Sequence, residues 1–326
     1  MKHYVTIVTG GAGFIGSHLT ERLLKEGCEV IVIDNFSSGR LQNIQLLRDN
    51  RRLRVVKEDL KKPSKLDRII EECEIVFHLA ANPEVKAGET NPKVHFKENI
   101  LTTFNLLESI RRTKTSKTIV FTSTSTVYGD VLQIPTPEDY APVTPISTYG
   151  ASKLSCEALI TSYAHTFDHR ALILRLANIV GPKSNHGVIV DFTRKIAANP
   201  MELEILGDGT QQKSYLYITD CIEAIICLTD KFLKDTRKID IYNIGSHDMI
   251  SVKEIARIVA KEMNASNIKN KFTGGINGGR GWKGDVKTMQ LSIDKLLKTG
   301  WKPQYTSKQA VKLTAMALVK ELSRSC

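Results

Sequence analysis

Thr9-Gly10-Gly11-Ala12-Gly13-Phe14-Ile15-Gly16 stands between a short apolar run, Tyr4–Thr9, and a helix-compatible stretch reaching Glu26. A second apolar run, Glu29–Ile33, ends at Asp34. Strand, glycine turn, helix, strand and acidic residue follow one another in the order that binds a dinucleotide. Gly10 allows the tight turn, Gly13 lets backbone approach a pyrophosphate, and Gly16 lets helix and strand pack closely. The helix N-terminus at Phe14 and Ile15 then faces the phosphates. Asp34 lies 24 residues beyond Gly10, where a carboxylate accepts from the adenosine ribose hydroxyls and repels a 2′-phosphate. The pattern favours NAD over NADP, with Arg40 nearby pulling the other way. Asn35, Ser38 and Gly39 fall in the turn after the acid and join the candidate cofactor positions.

The alternation of strand and helix continues. Leu53–Val56 reads as a strand leading to Asp59-Leu60, whose carboxylate can accept from an adenine amino group. Ile75–Leu79 is the next strand and runs into Ala80-Ala81, small residues that let a cofactor lie close over the strand ends. Val94–Ser109 carries Phe96, Ile100, Leu101, Phe104 and Leu107 at helical spacing, with Asn99 among them. Thr118–Phe121 is a strand that ends in Thr122-Ser123-Thr124-Ser125-Thr126-Val127-Tyr128-Gly129. Hydroxyls at the C-terminal end of a central strand sit where open α/β sheets bind ligands, although Ser and Thr also simply terminate strands. Pro135–Pro145 holds four of the ten prolines and reads as a loop.

Thr148-Tyr149-Gly150-Ala151-Ser152-Lys153 opens a helix running to about Phe167, with Ser147 or Thr148 as its cap and Leu154, Leu159 and Ile160 as core candidates. Tyr149 and Lys153 are four residues apart and share one helix face. A phenol beside an ammonium makes a proton acceptor, because the positive charge favours phenolate. A surface helix produces such a pair by chance. The nucleotide cradle gives it something to act on.

Ala171–Arg175 is another strand, closed by Asn178-Ile179-Val180-Gly181-Pro182, and the pattern then changes. Val188–Ala198 and Ser251–Lys261 are helical, Leu203–Leu206, Tyr215–Ile218 and Ile241–Ile244 are strands, and Thr219–Leu228 is a helix. Lys271–Gly284 holds six glycines around Arg280, Trp282 and Lys283 and reads as a loop folded about a ligand or as a mobile surface loop. Asp294–Thr299 and Lys308–Glu321 supply the last helices. The expected architecture is α/β: a doubly wound parallel sheet of Rossmann type over residues 1–177, with 214–245 returning to it in part, and a smaller C-terminal α/β substrate-binding domain over 178–326.

Composition is that of an ordinary soluble protein, 41% hydrophobic and 25% charged over 326 residues. No charged, apolar and small-residue leader and no membrane-length apolar run is present, so a cytoplasmic location is expected and no membrane partner. Cys28, Cys73, Cys156, Cys221, Cys227 and Cys326 match no metal or redox spacing and read as buried thiols, with no metal site. The net charge of +11 permits a nucleic acid, but the lysines are scattered and aromatics are few. The excess suits an anionic small substrate better.

Taken together, these motifs resemble the extended short-chain dehydrogenase/reductase family over essentially the whole chain, and most closely the nucleotide-sugar 4-epimerases of the UDP-glucose 4-epimerase type. The matching pieces are Thr9–Gly16, Asp34-Asn35, Asp59-Leu60, His78-Leu79-Ala80-Ala81, Ser123–Gly129, Tyr149–Lys153, Asn178–Pro182, Gly207–Asp220 and Tyr242–Gly245. The resemblance implies NAD as cofactor and a UDP-sugar or dTDP-sugar as substrate, most simply UDP-glucose converted to UDP-galactose. It implies Tyr149 as the catalytic tyrosine, Lys153 as its lysine partner and Thr124 as the hydroxyl on the sugar 4-oxygen. Asp34, Asp59, Leu79, Asn99 and Thr122 take cofactor positions. Ser125, Thr126, Asn178, Val188, Tyr215 and Asp285 take substrate positions. Lys213 stands where an arginine normally meets the diphosphate, and Arg280 or Lys283 supplies a second clamp. The resemblance also implies a homodimer through the Val94–Ser109 and Tyr149–Phe167 helices. Dehydratases of this family carry Asp-Glu after the threonine, and decarboxylases usually a glutamate nearby. Ser125-Thr126 stands there instead and disfavours both. An N-acetylhexosamine or a uronate remains an alternative hexose.

Overall fold

The computed structural model describes residues 1–325; Cys326, read above as a thiol, lies outside them. Seven strands form the main sheet: β1 (Val5–Thr9), β2 (Glu29–Asp34), β3 (Leu53–Lys57), β4 (Ile75–His78), β5 (Thr118–Thr124), β6 (Arg170–Leu176) and β7 (Ile239–Ile244). Their order is β7-β6-β5-β4-β1-β2-β3. The pairings of β1 with β2 and β4, of β2 with β3, and of β4 with β5 are parallel. Near-continuous apolar runs such as Val30–Ile33 and Ile75–Phe77 form these strands because a parallel sheet is covered on both faces. Register aligns Thr9 with Ile33 and with His78, and His78 with Phe121. The residues that follow these positions therefore emerge along one edge. The direction of chain travel reverses between β1 and β4, the place where such sheets open a crevice for ligands.

Helices α1 (Phe14–Lys25), α2 (Leu66–Glu71), α3 (Thr102–Arg111) and α4 (Thr148–Thr166) flank this sheet. One core packs Ile7, Ile31 and Val76 of the strands against Ile70, Leu107 and Ile160 of α2, α3 and α4. The expected Val94–Ser109 helix is broken into a turn at Lys93–His95, a π-helical stretch at Phe96–Leu101 and α3. A π turn accommodates one extra residue. The widened stretch carries Asn99, whose side chain bonds in two directions. The apolar stripe divides as a result: Leu107 faces the core, while Phe96 and Phe104 are exposed.

The chain forms two compact units, the first made of 1–127, 148–175 and 222–242, the second of 128–147, 176–221 and 243–326. This differs from the expected division at 177. Residues 128–147 join the second unit because Tyr128 donates to Asn243 (2.9 Å) and the Thr136 N–H to the Gln290 carbonyl (2.9 Å). The returning segment, 222–242, lies within 214–245, of which a part was expected to return.

In the second unit, helices Val188–Ala198, Val252–Glu262 and Ser307–Ser325 enclose a core containing Phe192, Ile255, Val259 and Val311. Ser251 caps the middle helix, accepting from the Glu254 N–H at 3.2 Å. The expected loop Lys271–Gly284 begins inside a strand, Lys269–Phe272, which pairs in parallel with Glu202–Ile205. It then turns back on itself through Ile276 and Arg280, whose peptides exchange bonds of 3.0 and 2.9 Å. Of the cysteines, Cys28, Cys73, Cys156 and Cys221 are buried and Cys227 is half-buried.

The crossing of α1 over β1 depends on Gly16. A Cβ there would stand 2.2 Å from the Gly10 carbonyl oxygen and 2.8 Å from Gly11 Cα. Gly16→Ala is expected to cost about 1–3 kcal/mol in reversible urea unfolding, the usual range for overpacking against backbone. An unchanged midpoint would mean that α1 can move away from the turn.

Candidate active site

The glycine turn is shaped by backbone. Gly10 has φ +68°, and a Cβ on it would lie 2.9 Å from the Ala80 nitrogen. On Gly13 a Cβ would meet the Gly10 carbonyl at 3.1 Å. No side chain caps α1, so its first N–H groups, at Phe14 and Ile15, point out of the turn. At the end of β2 the Asp34 carboxylate is fixed from both sides, accepting from the Ala12 N–H (2.9 Å) and the Phe36 N–H (2.8 Å). Burial lifts its pKa above the ordinary carboxylate value despite these donors. Gly39 is required beside it, since a Cβ would stand 2.8 Å from Asp34 Oδ2. Asn35 turns its amide oxygen onto the Ser37 N–H at 3.0 Å, and Ser38 is exposed. The cradle that Cβ atoms would fill, the uncapped helix and the fixed carboxylate fit the pyrophosphate and ribose of a dinucleotide.

Neighbouring strand ends complete this half. Thr9 Oγ1 accepts from the Leu79 and Ala80 N–H groups (3.2 Å each) and pairs with His78 Nδ1 at 2.8 Å. The second nitrogen of His78 pairs with Thr103 (2.9 Å), and burial drives its pKa down to about 3, so the ring is neutral. Thr122 donates to the His78 carbonyl at 3.3 Å, and Ala81 is half-buried. Leu60 is buried, while Asp59 is half-exposed and accepts from the Lys61 N–H at 2.9 Å. Asn99 is buried and bonded through both amide atoms: it accepts from the Asn82 N–H (2.8 Å) and donates to Ser152 Oγ (2.8 Å). Ser152 in turn donates to the Tyr149 carbonyl at 2.7 Å. Asn99 thus shapes the site through Ser152 instead of offering a free amide.

Thr124, Tyr149 and Lys153 all lie in the first unit. Thr124 is the last residue of β5, and its hydroxyl stands close enough to the Tyr149 phenol to favour the phenolate. Thr126 stands over it, its N–H donating to Thr124 Oγ1 at 3.2 Å and its hydroxyl 3.1 Å away. Ser125 is buried in the short turn between them. Lys153 is buried one helical turn beyond Tyr149, its ammonium 4.2 Å from the centre of the Phe121 ring. Burial pushes Tyr149 up to about 12 and outweighs the effect of the Thr124 hydroxyl. The same desolvation pulls Lys153 down to about 8, opposed by Cys156 and Glu157.

Two supporting groups were not singled out from the sequence. Glu157, one turn beyond Lys153, forms a buried ion pair with Arg175 (2.7 Å) and accepts from the Ser123 hydroxyl. The pair thereby ties α4 to β6 and to the residue before Thr124. The helical spacing 149, 153, 157 was the signal that could have exposed the glutamate. His95 bonds Thr148 and packs its ring against Tyr149.

The second unit gathers other expected residues. Asp285 is buried and already partnered: Lys213 Nζ lies 2.6 Å from Oδ1, and the Gly281 N–H donates to Oδ2 at 3.1 Å. Arg280 donates to the Asp285 carbonyl (2.9 Å) and pairs with Asp130 (2.9 Å). Its Nε and the Trp282 indole nitrogen are buried donors with no protein partner. Lys283 is exposed. Asn178 donates to the Ser214 carbonyl at 3.1 Å. Tyr215 is buried, which raises its phenol, and Val188 begins its helix half-buried. Among the described residues no cluster of three His, Cys, Asp or Glu is placed to hold a metal.

Desolvation of Lys153 has a measurable consequence. Its pKa is about 8 in the folded chain against 10.5 for the ordinary amine. The unfolded chain binds the extra proton between those values, so folding carries a penalty below pH 8 that fades as pH rises to 10.5. Lys153→Met is expected to be the more stable protein at pH 7, by up to about 3 kcal/mol in urea unfolding, with the advantage shrinking toward pH 10. Equal stability at pH 7 would show that the amine stays solvated.

A family profile described as "NAD dependent epimerase/dehydratase family" matches residues 6–245. A putative UDP-glucose 4-epimerase of Methanocaldococcus jannaschii is 32% identical, with 94% of this chain and 95% of that protein covered. UDP-glucuronic acid decarboxylase 1 of Arabidopsis thaliana is 33% identical, over 81% of this chain and 60% of that one. A crystal structure of a UDP-galactose 4-epimerase superposes with a TM-score of 0.85 at 43% identity, covering 97% of this chain and 99% of the other. The chain belongs to the NAD dependent epimerase/dehydratase family, within the extended short-chain dehydrogenases/reductases, and is an NAD-dependent enzyme.

Proposed function

We propose that the chain is a UDP-sugar 4-epimerase whose substrate pair is UDP-glucose and UDP-galactose. The observation that carries this reading is the Thr124 hydroxyl at the end of β5 standing beside the Tyr149 phenol, with two hydroxyl residues, Ser125 and Thr126, following Thr124. Elimination of water from a 4-keto sugar needs an acid and a base beside the threonine. The two residues that follow it supply neither. UDP-glucose is favoured over a uronate or an N-acetylhexosamine by the likeness to the archaeal relative and to the solved UDP-galactose 4-epimerase.

In this reading the first unit holds NAD through the Gly10–Gly16 turn, Asp34 and the Leu79-Ala80-Ala81 strand end. When bound, NAD accepts a hydride from sugar C4 and gives it back. Tyr149 removes the proton from the C4 hydroxyl as that bond is oxidised and returns it on reduction. Thr124 bonds the same oxygen and holds it in line with the phenol. Lys153 supplies a buried positive charge and a donor next to the phenol. Inversion at C4 requires the keto sugar to present its other face before reduction. Lys213 and Arg280 of the second unit are assigned to the diphosphate about which the sugar turns. The exposed rings of Phe96 and Phe104 support a homodimer. No helix among the described residues is long and apolar enough to cross a membrane.

Incubation with a panel of UDP- and dTDP-sugars, with products separated by configuration, tests the reading. Conversion of UDP-glucose to UDP-galactose with no net NADH is expected, whereas release of water or carbon dioxide would refute epimerisation. Tyr149→Phe should lower turnover by about 10²–10⁴-fold while NAD stays bound. Activity within about tenfold of the parent would remove Tyr149 from its role.

A further inference from the structure

We infer that His95 is a positioning residue for Tyr149, clamping the first turn of α4 through Thr148 and bracing the phenol ring with its own edge. The inference rests on the epimerase reading, in which Tyr149 carries the proton. His95 is buried in the Lys93–His95 turn. Its Nε2 lies 3.1 Å from the Glu84 carbonyl oxygen, which can only accept, so Nε2 bears the hydrogen. Nδ1 is then the bare nitrogen and accepts from the Thr148 hydroxyl at 2.9 Å. Thr148 is the first residue of α4 and the neighbour of Tyr149. The two rings meet at 5.5 Å between centroids with planes at 66°, an edge-on contact.

One side chain therefore links three pieces of the first unit: the segment after β4, the start of α4 and the reacting ring. The fit is close enough to demand glycine at position 88. A Cβ there would stand 2.0 Å from Thr148 Oγ1 and 3.0 Å from His95 Nδ1. Helix ends fray, and Tyr149 sits in the first turn. Without an external tie the phenol would sample positions off the line to Thr124. Misplacement of a reacting group by about 1 Å costs on the order of 10²-fold in rate. Burial holds the imidazole below its usual pKa, so the neutral tautomer that both bonds require is the favoured one.

Two substitutions separate positioning from packing. His95→Phe keeps a ring of similar size and loses both hydrogen bonds; His95→Gln keeps one donor and one acceptor and loses the ring. His95→Phe is expected to lower kcat by about 10- to 100-fold, with KM for UDP-glucose and bound NAD changed by less than about twofold. His95→Gln should recover most of kcat, and Thr148→Val should reproduce the loss without adding to it. A kcat within about twofold of the parent in folded His95→Phe, or a loss confined to KM, would overturn the inference. Should His95→Phe fail to fold, the Thr148→Val and His95→Gln pair decides the matter by the same kcat criterion. Should the parent epimerise no UDP-sugar, the functional reading fails while the clamp stays testable. Ultraviolet titration of the Tyr149 phenol, taken against Tyr149→Phe, should then show a lower midpoint in Thr148→Val than in the parent as the ring loosens. An unmoved midpoint would sink the clamp as well.

Discussion

Desolvation of a phenol and an amine on consecutive turns of one helix is the constraint that the rest of the first unit accommodates. Burial favours the neutral form of each, so Tyr149 rises to about 12 and Lys153 falls to about 8. At pH 7 the phenol is neutral and the amine charged, one helical turn apart. A positive charge brought beside the phenol by a bound ligand adds to that of Lys153 in favouring phenolate. The dinucleotide cradle lies on the adjoining strand ends of the same sheet.

Such a pair can be buried only if the surrounding polar groups are satisfied. The inward face of α4 is Ser152, Lys153, Cys156 and Glu157, with Ile160 and Ala164 further along. Three of the four polar members have hydrogen-bonding partners, Asn99 for Ser152, Thr103 for Cys156, and Arg175 with Ser123 for Glu157, while Lys153 stands over the Phe121 ring. Unpaired, any of these would carry the penalty of a buried orphan, and a lone Glu157 or Arg175 would be the most costly. The helix is thus located by directional bonds more than by an apolar stripe. Leu154 and Leu159, chosen as core residues from their type, are only half-buried, whereas Ile160 is fully buried.

The same fact marks what the sequence could reveal. The β1–glycine turn–α1–β2 unit is local: its strand, turn and acid are read from spacing, and the structure keeps that order. Thr124 and the Tyr149–Lys153 pair were each legible as short motifs, and only the fold brings the Thr124 hydroxyl beside the Tyr149 phenol. His95 and the Glu157–Arg175 pair were not legible, because their meaning lies in partners 18 to 53 residues away. The π turn at Phe96–Leu101 keeps the residue types of an ordinary helix and differs only in what Asn99 reaches. Lys269–Phe272 is exposed along its whole length and pairs as a strand without any period-two pattern. Pro135–Pro145 read as a loop, yet Thr136 within it and Tyr128 before it bond to Gln290 and Asn243.

Lys213 shows how a departure from a family pattern can be an arrangement in its own right. An arginine at this position would bring a planar fork suited to a diphosphate. The lysine instead places a compact ammonium 2.6 Å from Asp285 and 5.6 Å from the centre of the Trp282 ring. Asp285 also takes the Gly281 N–H, and its carbonyl takes Arg280, so one short segment orients both cations. The Arg280 Nε and the Trp282 indole N–H are left as buried donors without a protein acceptor. Donors of that kind are costly unless something accepts from them. In the proposed reading an anionic oxygen does so, and the bidentate capacity lost at Lys213 is spread over neighbouring groups that the same turn holds in place.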